Sequence, residues 1–283
     1  MARDDCSSDD TPRLLAEWGA RLGERCTVLR DPIVRNLGVA GSFTAVLRAT
    51  SSRWVMTADP DDVWLPGKIG ASLAAMQETE RRLGEATPIA VCTDARVVDR
   101  DLKTIAPSYW RHYRMTPCRS IQLPRTAVEN VALGSTMMVN RALVDLALPI
   151  DAAAAYQDWW LALAAAAFGE VVALPEQTML YRRHGANETD GPYSASLPAA
   201  LLRGLLAPGG ARQRMKGLLI QAANQARAFV TRYRDRLDAR TVAALEALAA
   251  LPSQSWLERR ATLIRHDLWF GAMVKNLGLM ALI

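Results

Sequence analysis

The chain has 283 residues, half of them hydrophobic and 22% charged. That balance excludes a disordered or collagen-like polymer and leaves room for one large core, or a core with an appendage. The formal net charge is +5, but Leu201 to Ile283 carries 13 Lys and Arg against 5 Asp and Glu, while the rest carries 21 against 24. A basic tail of this kind attracts polyanions. No zinc-finger spacing, aromatic RNA platform or recognition helix accompanies it, so no nucleic-acid partner is expected and an anionic membrane surface is favoured.

Cys6, Cys26, Cys92 and Cys118 form no C-x-x-C pair, and three histidines are too few to suggest a Cys/His zinc site. The cysteines read as small apolar fillers in a reducing compartment. The opening Ala2-Arg3-Asp4-Asp5 is polar and acidic, unlike a secretory leader, and a cytoplasmic location is expected.

In chain order, Thr11–Leu22 reads as a helix, Cys26-Thr27-Val28-Leu29 as a short strand and Gly41 to Ala49 as a helix. Trp54-Val55-Met56-Thr57 reads as a buried strand, and Pro66 opens a helix to about Arg82, because proline suits a first helical turn. Ile89 to Thr93 and Gly134 to Val139 read as strands, and Arg141–Leu148 and Tyr156 to Phe168 as helices. Val171–Leu174 and Thr178–Tyr181 follow as short strands. This alternation predicts an α/β sheet with helices on its faces. Beyond about Gly191 the pattern turns helical: Met215, Leu218, Leu219, Ala222, Ala226, Phe229, Val230, Tyr233 and Leu237 recur at helical spacing. Val242–Leu251 and Trp256–His266 continue it, with breaks expected at Pro208-Gly209-Gly210 and Pro252-Ser253. A last apolar stretch runs from Leu263 to Ile283 and includes Lys275. Only 16 residues follow Asp267, with Lys275 in their midst, too few to span a bilayer, and the pattern fits an interfacial helix whose cations reach lipid headgroups.

The most informative segment is Thr57-Ala58-Asp59-Pro60-Asp61-Asp62-Val63-Trp64-Leu65-Pro66. Its three carboxylates follow a strand and precede a helix, and ligands in open α/β sheets bind at the carboxyl ends of strands. Two carboxylates with one residue between them can both approach a hard divalent cation such as Mg2+ or Mn2+. Such a cation neutralises a diphosphate leaving group. An isolated D-x-D more often only caps the following helix, and the flanking apolar residues are what favour a site here.

Asp59-Pro60-Asp61-Asp62-Val63-Trp64-Leu65-Pro66-Gly67-Lys68 resembles the D-x-D-D-x-W-x-P-x-K segment of glycosyltransferase family 2. Asp4-Asp5-Cys6-Ser7-Ser8-Asp9-Asp10-Thr11 is similar to that family's D-D-x-S-x-D-x-T, and Asn36-Leu37-Gly38-Val39-Ala40 to its N-x-G-x-A turn. Gly134 to Met138, Gln157-Asp158-Trp159-Trp160 and Leu180 to Gly185 follow in the family's order and are nearest its rhamnosyltransferase-like branch. The resemblance implies a nucleotide-diphospho-sugar transferase (GT-A type) Rossmann-like sheet over residues 1–191, and the helical spacing beyond it makes residues 192–283 a helical C-terminal region expected to associate with membrane. It also implies an inverting transfer of a sugar, rhamnose in that branch, from a nucleoside-diphosphate donor. The acceptor is a saccharide or lipid-linked saccharide in surface polysaccharide synthesis, worked on at the inner face of the membrane.

Residue by residue, the resemblance implies that Asp5, Asn36 and Asp59 contact the nucleotide, and that Asp61 and His184 hold the metal. Asp158 is the general base, while Ser135, Trp159 and Arg183 meet acceptor or phosphate. Asp62 instead braces the loop. From spacing alone, Asp5 and Asp158 read equally as helix-capping carboxylates, and Trp159 or Trp160 as core. The family opens with a strand and a P-x-Y-N turn ahead of its D-D-x-S motif, whereas Met1 stands three residues before Asp4. The sheet is therefore expected to lack its first β-α unit. Two rival readings are an inactive, truncated subunit of a membrane polysaccharide assembly complex, and a sugar-1-phosphate nucleotidyltransferase. The latter would call for a glycine-rich basic phosphate loop at its front, which this sequence lacks.

Overall fold

The computed structural model describes residues 1–29, 35–183 and 208–282. The chain opens with β1 (Ala2–Arg3), α1 (Thr11–Leu22) and β2 (Val28–Leu29), and β1 pairs in parallel with β2 as a two-stranded sheet of its own. After α2 (Gly38–Ala49) come β3 (Trp54–Met56), β4 (Val63–Trp64), α3 (Lys68–Leu83), β5 (Ile89–Val98) and β6 (Thr104–Ala106). The short helices α4 (Tyr109–His112) and α5 (Pro117–Ser120) lead to β7 (Met138–Asn140), α6 (Arg141–Ala147), α7 (Gln157–Phe168) and β8 (Glu170–Arg182). The main sheet runs β3-β7-β5-β8-β4, with β6 also paired to β5. It is mixed: β5 and β8 are parallel, the other pairs antiparallel.

The burial of β5 explains its apolar sequence. Every residue but Arg96 is buried, as befits a central strand covered on both faces. The acidic turn lies between the edge strands β3 and β4, so Asp59, Asp61 and Asp62 sit at one end of the sheet. Gly67, at φ 88°, turns the chain from β4 into α3 through a left-handed conformation that a side chain would strain.

The C-terminal helices are α8 (Pro208–Tyr233), α9 (Ala239–Ala250), α10 (Trp256–Arg265) and α11 (Met273–Leu282). They share one apolar core with the sheet. Phe229 and Tyr233 of α8 stack among Trp160 and Phe168 of α7, with ring centroids 4.7–6.3 Å apart. Arg232 donates to the carbonyls of Leu146, Leu148 and Pro149, satisfying groups left open in the last turn of α6 and just beyond it.

Several expectations change. The strand expected from Gly134 begins at Met138, because Gly134–Thr136 form a 3-10 turn closed by Leu133. The two short strands after Val171 join into one β8, with irregular pairing where Pro175 interrupts the ladder. Pro208 starts a helix rather than breaking one, α3 begins two residues after Pro66, and α9 begins early because Asp238 caps it through the N–H groups of Arg240 and Thr241. Cys92 is buried, and burial pushes its thiol up to about 12. Cys6 and Cys118 are exposed and fill nothing. Lys275 does not reach toward headgroups. It lies buried in α11, its ammonium 2.6 Å from Glu129, and burial pulls it below the usual lysine range. No helix among the described residues is long and apolar enough to cross a membrane.

Candidate active site

The acidic turn is fixed from both sides. At its start the buried Thr57 hydroxyl donates to the Gly134 carbonyl at 2.5 Å. At its end the two oxygens of Asp62 are both engaged: Oδ2 accepts from Ser135 Oγ at 2.7 Å and Oδ1 from the Arg182 N–H at 3.0 Å. Burial raises the Asp62 carboxyl above its ordinary range, and the nearby Asp61 adds to this, while the two hydrogen bonds and Lys68 oppose it. Lys68 is itself buried, its ammonium 5.0 Å from the Trp64 ring centroid and 3.5 Å from Thr178 Oγ1. Burial pulls it down to about 8 despite the attraction of Asp62. Asp62, Trp64 and Lys68 therefore lock the turn, while Asp59 and Asp61 remain half-buried beside it.

Asp158 lies in the first turn of α7 and is partly exposed. Its Oδ1 accepts from Asn130 Nδ2 at 3.0 Å and its Oδ2 from the Gly134 N–H at 2.8 Å. Gly134 eases this approach, because a Cβ there would lie 3.2 Å from Asp158 Oδ2 and the carboxylate would have to give by a few tenths of an ångström. Burial pushes the carboxyl up to about 7, against the hydrogen bonds from Gly134 and from the start of the helix, with the charge of Asp59 raising it further. The charge of Asp59 thus reaches Asp158 and, with burial, favours its protonated form more than in an ordinary carboxylate.

The N-terminal motif forms a second cluster. Asp5 Oδ1 accepts from the Leu37 N–H at 2.7 Å, and Asn36 Nδ2 donates to the Asp5 carbonyl at 3.0 Å. Arg3 pairs with Asp5 and donates to Ser42 Oγ at 2.7 Å. Burial works against the Asp5 charge, but the Leu37 N–H and Arg3 outweigh it and hold the carboxyl below its ordinary range. Asp5 thus holds the turn that opens α2 rather than capping α1, and α2 in turn packs on β1 and α7.

Two expected contacts are corrected. Ser135 is fully buried with its hydroxyl given to Asp62, so it meets neither acceptor nor phosphate. Trp159 and Trp160 are both core, their indole N–H groups donating to the carbonyls of Thr126 and Ala147. Arg183 follows β8, its N–H on the Val98 carbonyl, and its charge, after burial, helps hold His112 below the usual histidine range. His184 lies outside the described residues. Sequence reasoning missed Asn130, Gly134 as a donor, and Tyr109, whose buried phenol feels the charges of Asp158 and Asp62. A loop asparagine and a core tyrosine carry no local signal of such roles.

Among the described residues no group of three or more His, Cys, Asp and Glu side chains could enclose a metal ion. The half-buried pair Asp59 and Asp61 supplies hard oxygen donors only. That set suits Mg2+ or Mn2+, which take one or two carboxylates and complete their shell with waters and substrate phosphates.

The sheet and the acidic turn at its end define a GT-A nucleotide-diphospho-sugar transferase fold. The model of the glycosyl transferase family 2 matches residues 2–145, half of the chain, and the chain belongs to that family. The match ends before Asp158, so the position of that residue rests on its own geometry. An uncharacterized protein of Mycobacterium bovis and one of Mycobacterium tuberculosis are each 27% identical over 184 residues, covering 64% of this chain and 49% of the relative. The chain spans about half the length of these curated relatives.

Proposed function

We propose that the protein is an inverting glycosyltransferase in which Asp158 is the general base and Asp61, with Asp59, takes a divalent cation. The observation that carries this reading is Asp158 itself. It is a half-buried residue whose carboxylate is braced on both oxygens and raised by burial to about 7, with the charge of Asp59 of the acidic turn acting on it. Asp158 takes the proton of an acceptor hydroxyl as its oxygen attacks the anomeric carbon. The bond from that carbon to the diphosphate breaks with its electron pair leaving on the diphosphate, and the configuration inverts. A bound Mg2+ or Mn2+ would neutralise the departing diphosphate. Asp5 and Asn36 are the proposed contacts for the nucleoside, and Arg183 and His184 for the phosphates and metal. The resemblance of the later motifs to the rhamnosyltransferase-like branch makes a nucleoside-diphosphate rhamnose the first donor to try, with a saccharide or lipid-linked acceptor.

The test is calorimetric titration with a nucleoside diphosphate in Mn2+ and in chelator. Binding lost in chelator and in Asp61→Ala, but largely kept in Asp62→Ala, is expected. Undiminished binding in chelator would remove the metal from this reading.

For a lipid-linked acceptor we propose that α10 and α11 rest on an anionic membrane surface at the cytoplasmic side. Trp256, Leu257 and Ile264 of α10 and Met273 and Leu277 of α11 are exposed. The Arg260 guanidinium lies 3.4 Å from the Trp256 ring centroid, and Arg265 is exposed alongside. Apolar side chains beside cations suit a headgroup boundary. Co-sedimentation with phosphatidylserine-containing vesicles should weaken with salt and with Trp256→Ser/Leu257→Ser. Binding indifferent to both changes would exclude this surface.

A further inference from the structure

The stretch from Glu129 to Ser135 is mostly without regular secondary structure, yet it is tied along its length to the elements around it. Glu129 is buried and receives three donors: Lys275 Nζ at 2.6 Å, Ser120 Oγ at 2.6 Å and the Gly271 N–H at 3.0 Å. The Val131 carbonyl accepts from the Trp110 indole at 2.8 Å. Gly134 accepts from Thr57 at the head of the acidic turn, and Ser135 donates to Asp62 at its foot. Within this strap, Asn130 Oδ1 accepts from the Ala132 N–H at 3.0 Å, so the amide oxygen is committed and the amide nitrogen faces Asp158. That nitrogen has two hydrogens, and it has two acceptors: Asp158 Oδ1 at 3.0 Å and the Ala132 carbonyl at 3.2 Å.

We infer that Asn130 is the positioning residue of Asp158, orienting its carboxylate toward the acceptor, with α11 anchoring the strap through the buried Glu129–Lys275 pair. The inference rests on the reading of Asp158 as the base. Asn130 and Gly134 grip opposite oxygens of one carboxylate, so together they fix its plane as well as its place. Loss of the amide leaves Asp158 Oδ1 without its side-chain donor, so the carboxylate keeps the Gly134 N–H and the helix start but is less firmly set about its side-chain bonds. A misaligned base loses rate with little change in donor binding, because the carboxylate acts only on the acceptor proton. The C-terminal helices would then serve catalysis from behind the site: α11 fixes Glu129, and Glu129 precedes the asparagine that holds the base.

The experiment is a cycle of Asn130→Ala, Asp158→Ala and the double variant in the full chain, reading kcat for sugar transfer and donor Kd. Asn130→Ala is expected to lower kcat by roughly tenfold or more with donor Kd unchanged. In the Asp158→Ala background the same substitution should cost nothing further, because the residue it serves is gone. If Asn130→Ala is poorly folded by circular dichroism, Asn130→Ser, which retains a polar group for the Ala132 N–H, replaces it with the same expectation. An equal loss in both backgrounds, or no loss in either, would overturn the inference while leaving Asp158 as the base. A neutral Asp158→Ala would overturn the base assignment and the inference with it.

Discussion

The acidic turn at Asp59–Asp62 and the start of α7 at Asp158 each hold a carboxylate that burial raises above its ordinary range, yet the two regions are built for different work. Asp62 accepts one hydrogen bond from a side chain of the strap and one from the backbone at the end of β8, and it has Lys68 nearby. It ties three separate segments and is spent in doing so. Asp158 is also gripped on both oxygens and is half-buried like Asp62, but the donors to its two oxygens, Asn130 and Gly134, come from a single segment, the strap. A buried carboxylate with donors from many elements is a fastener. One gripped by a single segment, with the charge of Asp59 acting on it, is placed to exchange a proton with a substrate.

The comparison is sharpest in paired substitutions. Asp158→Asn keeps the size of the side chain but cannot take a proton usefully. Turnover should fall by roughly a hundredfold or more with donor affinity nearly unchanged, as steady-state kinetics and titration would show. Asp62→Ala should act in the opposite way. It leaves the Ser135 hydroxyl and the Arg182 N–H without their acceptor, and a loss of about 2 kcal/mol in urea unfolding is expected. Similar losses of stability in both variants would erase the distinction.

The two residues that differ so much in role are alike in the sequence, and this marks the limit of what could be read there. The alternation of elements, the acidic turn and the helix carrying Asp158 follow from local periodicity and motif, which is why α7 and the turn fall where expected and β5 starts at Ile89, although it runs on past the expected Thr93 to Val98. The strap does not. Asn130 meets Asp158 across 28 residues and Lys275 meets Glu129 across 146, and neither pairing leaves a local pattern. Trp159 misled for a related reason: it is buried with its indole N–H on the Thr126 carbonyl, and its neighbour Trp160 packs on Phe229 of α8. The apolar tail was legible as amphipathic, but its one central lysine found a carboxylate inside the protein rather than a headgroup outside it.

A smaller effect is expected at Gly134. An added Cβ would meet Asp158 Oδ2 at 3.2 Å and Gln157 Nε2 at 3.3 Å, so the carboxylate must yield by a few tenths of an ångström. Gly134→Ala should cost about 1 kcal/mol of stability, and a kcat lowered more than donor affinity would place that displacement at the base. Smaller still is the effect of pH on stability. Because folding raises the Asp158 pKa, its contribution is full below the unfolded value and is lost as pH rises toward about 7. Thermal melts of Asp158→Asn should therefore improve relative to the unsubstituted protein between pH 5 and pH 8. A difference independent of pH would mean that folding does not raise this carboxyl.

The most direct test of Asp158 as the base is the rate of sugar transfer against pH at saturating donor and metal. The rate is predicted to fall below about pH 7 as a single group is protonated, and the residual rate of Asp158→Asn should lack that fall. A rate flat from pH 5 to pH 8, or the same acid limb in Asp158→Asn, would contradict the account.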